Sequence, residues 1–119
     1  MMQAVQAHWK ELYSSPYGST WQDDQSRCIW LQVGGSCVSL NAQLFLKFRK
    51  RLQAIELERM LAPVHAGDEM ELISFARWEH FLLLDVMDVV AYREVVEGTM
   101  VMLELNSMIH RQLQQPVHR

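Results

Sequence analysis

Glu79, His80 and Asp85 bring two carboxylates and an imidazole into one short stretch, the groups that general acid–base chemistry needs. Their positions argue against that use, because Glu79 and His80 fall at an expected turn and Asp85 stands where a helix needs its N-cap. The five histidines, His8, His65, His80, His110 and His118, share no metal-ligand spacing with a cysteine. Phosphate-cradling, nucleophile-elbow, zinc-helix and CxxC motifs are absent. These readings assign no catalytic residue, no metal and no cofactor, and the chain is read as a non-enzyme.

Cys28 and Cys37 sit at apolar positions of expected strands and read as small buried hydrophobes rather than nucleophiles. A bridge between them is excluded by reach: with Gly34-Gly35 as a two-residue turn, Cys37 opposes Gln32, leaving Cys28 roughly 13 Å away. The basic run Lys47 to Arg51 interleaves with Phe48 and Leu52 as an amphipathic helix does, so it reads as a solvated face. A net charge of -3 and a pI near 5.9 give no general attraction to nucleic acid or anionic membranes. No leader and no uninterrupted apolar span are recognised, and a cytoplasmic location is expected. Met100, Met102 and Met108 are different, since flexible methionines past Gly98 suit an adaptable association surface as well as a core.

The elements that must position these residues come from a repeat. The stretch from Cys28 to Leu52 recurs without a gap 44 positions later, from Leu72 to Val96. Ile29 meets Ile73, Leu40 meets Leu84 and Arg49 meets Arg93 as identities; Leu31 meets Phe75, Val38 meets Leu82, Phe45 meets Val89, Phe48 meets Tyr92 and Leu52 meets Val96, and Asn41 meets Asp85. The pattern predicts a duplicated strand–strand–helix unit.

In chain order, Val5, Trp9, Leu12 and Tyr13 predict a short amphipathic helix over 1–13, followed by a loop from Ser14 to Arg27. Cys28 to Val33 and Ser36 to Leu40 form a hairpin in which Val33 pairs with Ser36, Leu31 with Val38 and Ile29 with Leu40. Asn41 caps a helix that buries Phe45, Phe48, Leu52 and Ile55 and that Pro63 ends. A loop from Val64 to Asp68 leads to a third strand over Glu69 to Arg77. Because Trp78-Glu79 is poor two-residue turn chemistry, a longer turn should connect it to the fourth strand, His80 to Leu84. Asp85 caps the last helix, with Asp88 in its first turn; Gly98 interrupts it, and its apolar positions continue to about Gln114.

The fold expected is one α+β domain over residues 1–119: internal repeats at 28–61 and 72–114 build a four-stranded antiparallel sheet with two helices on one face. The short N-terminal helix and loop occupy 1–27. Cys28, Trp30, Cys37, Met70, Leu72, Phe81 and Leu83 should then share the reverse face of that sheet, which is too apolar to stay wet. The expected interface residues are Trp30, Cys37, Leu72, Phe81 and Leu83, with Met102 and Met108 on the last helix.

At Val33-Gly34-Gly35, Cys37 to Asn41 and Phe45 to Phe48, the chain resembles a family of short bacterial proteins of unknown function. Its members join a hydrophobic strand, a glycine turn, a second strand and a Phe-rich helix. The cysteine pair that members often carry before the first strand is missing from Trp21 to Arg27, so the resemblance implies the fold and no activity. The leading expectation is a non-catalytic protein–protein association module, working as a homodimer. The alternatives are a small chaperone or adaptor for another protein, and a ligand-binding protein or enzyme with a pocket between sheet and N-terminal helix, where Trp9, Trp30 and the cysteines converge.

Overall fold

The computed structural model describes residues 9–61, 71–75 and 80–114, with side chains for 9–61 and 82–108. Strands β1 (Trp9–Ser15), β2 (Gly18–Asp23), β3 (Ile29–Val33) and β4 (Ser36–Leu40) form an antiparallel meander in that order. Helix α1 (Ala42–Ala54) and a one-turn α2 (Leu57–Met60) follow. Among the described residues, strands β5 (Glu71–Phe75) and β6 (His80–Leu84) pair only with each other, and α3 runs from Val86 to Gln114. The fold is α+β with a four-stranded antiparallel sheet, but two of its strands are not the expected ones.

Residues 9–13 are strand, not the end of a helix; residues 1–8 of that expectation lie outside the described residues. The reason is a bulge. The β1–β2 register runs Glu11↔Trp21 and then Tyr13↔Thr20, so Leu12 is extra and both Leu12 and Tyr13 turn inward. A bulged strand thus reproduces the apolar spacing of a helix turn. Ser14 to Arg27 is likewise no loop: Pro16 and Tyr17 make a two-residue turn between Ser15 and Gly18, with proline and glycine where a type I turn favours them. The Asp23 side chain then accepts from the Gln25 N–H at 2.9 Å, and Arg27 at φ 62° turns the chain into β3.

The first hairpin has the expected register, Ile29↔Leu40, Leu31↔Val38 and Val33↔Ser36, about Gly34, whose φ of 58° suits glycine. In the second, Phe75 pairs with His80, and the expected turn at Trp78-Glu79 lies outside the described residues. Its register is offset by two residues from that of the first, so Ile73 pairs with Leu82 rather than with Leu84. Among the described residues the two hairpins lie in separate sheets, and β2 occupies the outer edge of β3 through Trp21↔Trp30 and its neighbours. Pairing neighbours in sequence closes short loops at low entropic cost, and the meander has it.

Asn41 caps α1 by accepting from the Leu44 N–H at 2.8 Å. The helix stops well short of Pro63. Its end is held by Arg93 of α3, which donates to the Leu52 carbonyl at 3.0 and 2.8 Å and to that of Ile55. Ile55 is the C-cap and packs half-buried against the core, and α2 then sends Met60 into it. Asp85 and Asp88 open α3 with reciprocal bonds: each backbone N–H donates to the other's carboxylate, at 3.1 and 2.8 Å.

Both helices pack on one face of the meander. Leu12, Leu31, Leu40, Phe45, Phe48, Leu52, Val89, Val95 and Val96 are buried together, with Tyr92 set edge-on to Phe48 at 5.6 Å. Among these are the buried-face residues expected of both helices. Gly98 does not end α3. A β-carbon there would lie 2.3–2.6 Å from the Tyr13 ring, so the missing side chain is the seat on which β1 rests its tyrosine.

Candidate functional site

Two regions gather the residues expected at an interface. The first is the outer face of the meander. Side chains alternate along strands, so the ladder Glu11, Trp21, Trp30 and Ser39 points away from the helices. Trp9, diagonal to it, stacks on Trp30 with ring centroids 5.2 Å apart and planes at 25°. All three indole N–H groups, of Trp9, Trp21 and Trp30, are hidden from solvent and have no hydrogen-bond acceptor among the described residues. A buried unpaired donor costs about 1–3 kcal/mol, so three in one patch is a costly arrangement for the chain alone.

Trp9 and Trp30 do converge, but they stack on each other where a pocket between sheet and helix was expected. Cys28 and Cys37 are both free, Cys28 half-buried and Cys37 exposed rather than buried. Partial burial of the Cys37 thiol pushes its pKa up, which lowers its thiolate fraction and makes it a poor nucleophile.

The second region is the far half of α3. Up to Leu103 the helix has a face in the core: Thr99 is fully buried, and Met100 and Leu103 pack against the cluster. From Glu104 to Met108 every residue is exposed, yet the helix continues to Gln114. On this half Val101, Leu105 and Met108 are 54 %, 44 % and 53 % exposed at spacings of four and three, one stripe along the helix. Met108 is exposed as an association surface requires, whereas Met102 is half-buried.

Leu83 is 58 % exposed on β6, away from both regions in the separate hairpin. The single reverse face that was to hold Trp30, Cys37, Leu72, Phe81 and Leu83 is therefore split between two sheets. Leu72 keeps its place opposite Leu83 in the ladder, while the side chains of Leu72 and Phe81 lie outside those described.

The chain matches no known family, no curated protein and no solved structure. The resemblance at residues 28–52 accordingly assigns it to no family, and its function has to be argued from geometry. Among the described residues, no three His, Cys, Asp or Glu side chains gather as a metal site, and no helix is long and apolar enough to cross a membrane. Of the acid–base candidates, the Asp85 carboxylate is taken by the Asp88 N–H, and Glu79 lies outside the described residues.

Sequence reasoning missed the polar bolts that seat β1 and β2 on α3. Tyr13 Oη donates to Glu94 Oε2, Ser15 Oγ donates to Glu94 Oε1 at 2.7 Å, and the Thr20 and Thr99 hydroxyls meet at 2.7 Å. Since the Thr99 proton goes to the Val95 carbonyl, Thr20 is the donor to Thr99. The Glu94 carboxylate, with burial, raises the Tyr13 pKa. The signal that could have found them is the polar residue alternating with Tyr13, Ser15 and Thr20 on a face otherwise apolar. A groove of about 590 Å³ lies beside these bolts, lined mainly by Tyr17, Val33, Leu82, Met87, Ala91 and Tyr92. Its wall is mixed, with Ser36, Asp88 and the Tyr92 hydroxyl set among the apolar side chains.

Proposed function

We propose that this chain is a non-catalytic, cytoplasmic association module that works as a homodimer. The observation that carries the reading is the exposed stripe Val101, Leu105 and Met108 on a helix that outruns its own sheet. A helical segment with no tertiary contact is marginal in water below about 12–15 residues, so the end of α3 gains its stability from a partner or from the body of the helix alone. Apolar side chains placed in a row along it favour the partner. Sedimentation equilibrium across a wide concentration range tests this: a reversible monomer–dimer equilibrium is expected, and a monomer at every concentration would overturn the reading.

A second reading, an adaptor for a different protein, is favoured by the three indole donors of the outer face. Those N–H groups are out of solvent reach in the chain alone, so a partner would meet the half-buried indole rings and would bond the N–H groups only if the rings turned outward. Its test is the tryptophan fluorescence of the isolated chain: quenching and shift on adding such a partner support it, whereas indoles unaffected by every binding partner oppose it.

The two strand–strand–helix units are read as products of one duplication. Helices α1 and α3 begin 44 residues apart, at Ala42 and Val86. Positions equivalent at that offset touch each other, Phe48 with Tyr92 and Gln53 with Glu97 at 3.3 Å, as residues beside a twofold axis do. Arg49 reaches α3 at Glu97 and Arg93 reaches back to the end of α1.

A further inference from the structure

The two halves of α3 are amphipathic on opposite sides. In the first half Val89, Tyr92, Val96 and then Leu103 face the core. Continued at helical spacing, that face would pass through Asn106, Ser107 and His110, all polar. Leu105 lies about 200° around the helix from Leu103, on the opposite side. The stripe Val101, Leu105 and Met108 begins where Glu94 and Glu97 end the polar side of the first half. One helix therefore serves its own core up to Leu103 and presents a second apolar seam outward beyond it.

Resting on the homodimer reading, we infer that this seam pairs with the same seam of a second copy, antiparallel, as a short two-stranded coiled coil. Spacings of four and three are those of a and d positions, with Val101 and Met108 at d and Leu105 at a. Leu103, at the f position, is directed into its own core, as a seam facing away requires. The flanking g positions are then Glu104 and Arg111, one heptad apart and of opposite sign. In the antiparallel arrangement Leu105 lies over the partner's Met108 and Glu104 stands beside the partner's Arg111. The twofold axis repeats both contacts. A parallel arrangement would set Glu104 beside the apolar e position instead and gain no charge pair. Charge complementarity therefore selects a second copy and fixes its direction.

Sedimentation equilibrium of the full chain tests this with Glu104→Arg, Arg111→Glu, both together, and Leu105→Glu, helix content being checked by circular dichroism. Each single reversal turns two attractive pairs repulsive and should weaken the dimer about tenfold. The double variant should recover most of that loss, to within about threefold of the parent, the attraction of Glu104 for Arg49 of its own chain being forfeited in it as in the single Glu104→Arg. Glu104 and Arg111 are roughly 10 Å apart along one helix, so recovery cannot arise within a chain. Leu105 is exposed, and Leu105→Glu should abolish the dimer while the fold is retained. A dimer that ignores all four substitutions would overturn the seam and leave the homodimer standing on another surface. A parent chain that stays monomeric, or that pairs only with a different protein, overturns both.

Discussion

Gly98→Ala is an informative substitution because two principles predict opposite signs for it. In an exposed helix interior the change should stabilise by about 1 kcal/mol, glycine being the poorer helix former. Here the new β-carbon would sit 2.3 Å from the tip of the Tyr13 ring and 2.4 and 2.6 Å from its flanking carbons, where contact is not possible. The ring cannot swing aside freely, since Tyr13 Oη is held by Glu94 and its strand neighbour Leu12 is buried. Overpacking of this kind costs about 2 kcal/mol, and loss of a hydrogen bond to a carboxylate about 1.5. Set against the helix gain, the net expectation is destabilisation by about 2.5 kcal/mol, a fall in Tm on the order of 10 °C for a chain of this length.

The decisive measurement is a double-mutant cycle by urea denaturation. In a Tyr13→Ala background the obstacle is gone, and Gly98→Ala should revert to stabilising by about 1 kcal/mol. If Gly98→Ala stabilises the parent chain, or if the two substitutions add without coupling, then Tyr13 does not rest on α3 at Gly98, and the strand assignment for residues 9–15 loses its main support.

Thr99→Val should cost more than Thr20→Val, about 2 against 1 kcal/mol by urea denaturation, because Thr99 keeps its bond to the Val95 carbonyl without Thr20, whereas Thr20 is left a buried hydroxyl with no partner in the pair. The Arg49 guanidinium, bound at 2.8 and 2.9 Å, holds the Glu97 carboxyl below the usual carboxylate range. A lowered folded pKa means that this contribution is present above the unfolded carboxyl range and lost as pH falls through the lowered value. The pair is partly exposed, so Glu97→Gln should cost no more than about 1 kcal/mol at neutral pH and nothing in strong acid; an equal cost at both would refute the pair. Cys37, exposed but with its thiol pKa raised, should react with a thiol reagent at neutral pH, more slowly than a free cysteine; faster reaction would show an activating group beside it.

Much of the second half of the fold was legible because its signals are local. Gly34-Gly35 specifies a two-residue turn and with it the register of β3 and β4, and Asn41 and Asp85 mark helix starts one residue before α1 and α3 begin. Residues 9–23 were misread because the bulge at Leu12 puts two consecutive side chains on one face, which breaks the period of two that identifies a strand. Sheet membership was misread for a different reason: a face pattern says which side of a strand is buried, but not which strand lies beside it. Of the residues expected at an interface, Trp30 lies on the outer face of the meander and Met108 is exposed, while Trp21, the cross-strand partner of Trp30, was assigned to a loop and so missed.

The β1–β2 hairpin gives the two strand–strand–helix stretches different surroundings. It takes the outer edge of β3 and fastens to α3 through Leu12, Tyr13, Ser15 and Thr20. Helix α1, of 13 residues, lies beside β5 and ends under the Arg93 guanidinium. Helix α3, of 29 residues, uses its middle turns to hold the added hairpin and runs past it. The surplus turns are where Leu105 and Met108 face outward. Whatever covers them thus depends on the hairpin only indirectly: loosening it at Gly98 should weaken the fold, whereas changing Leu105 should alter association and leave the fold intact.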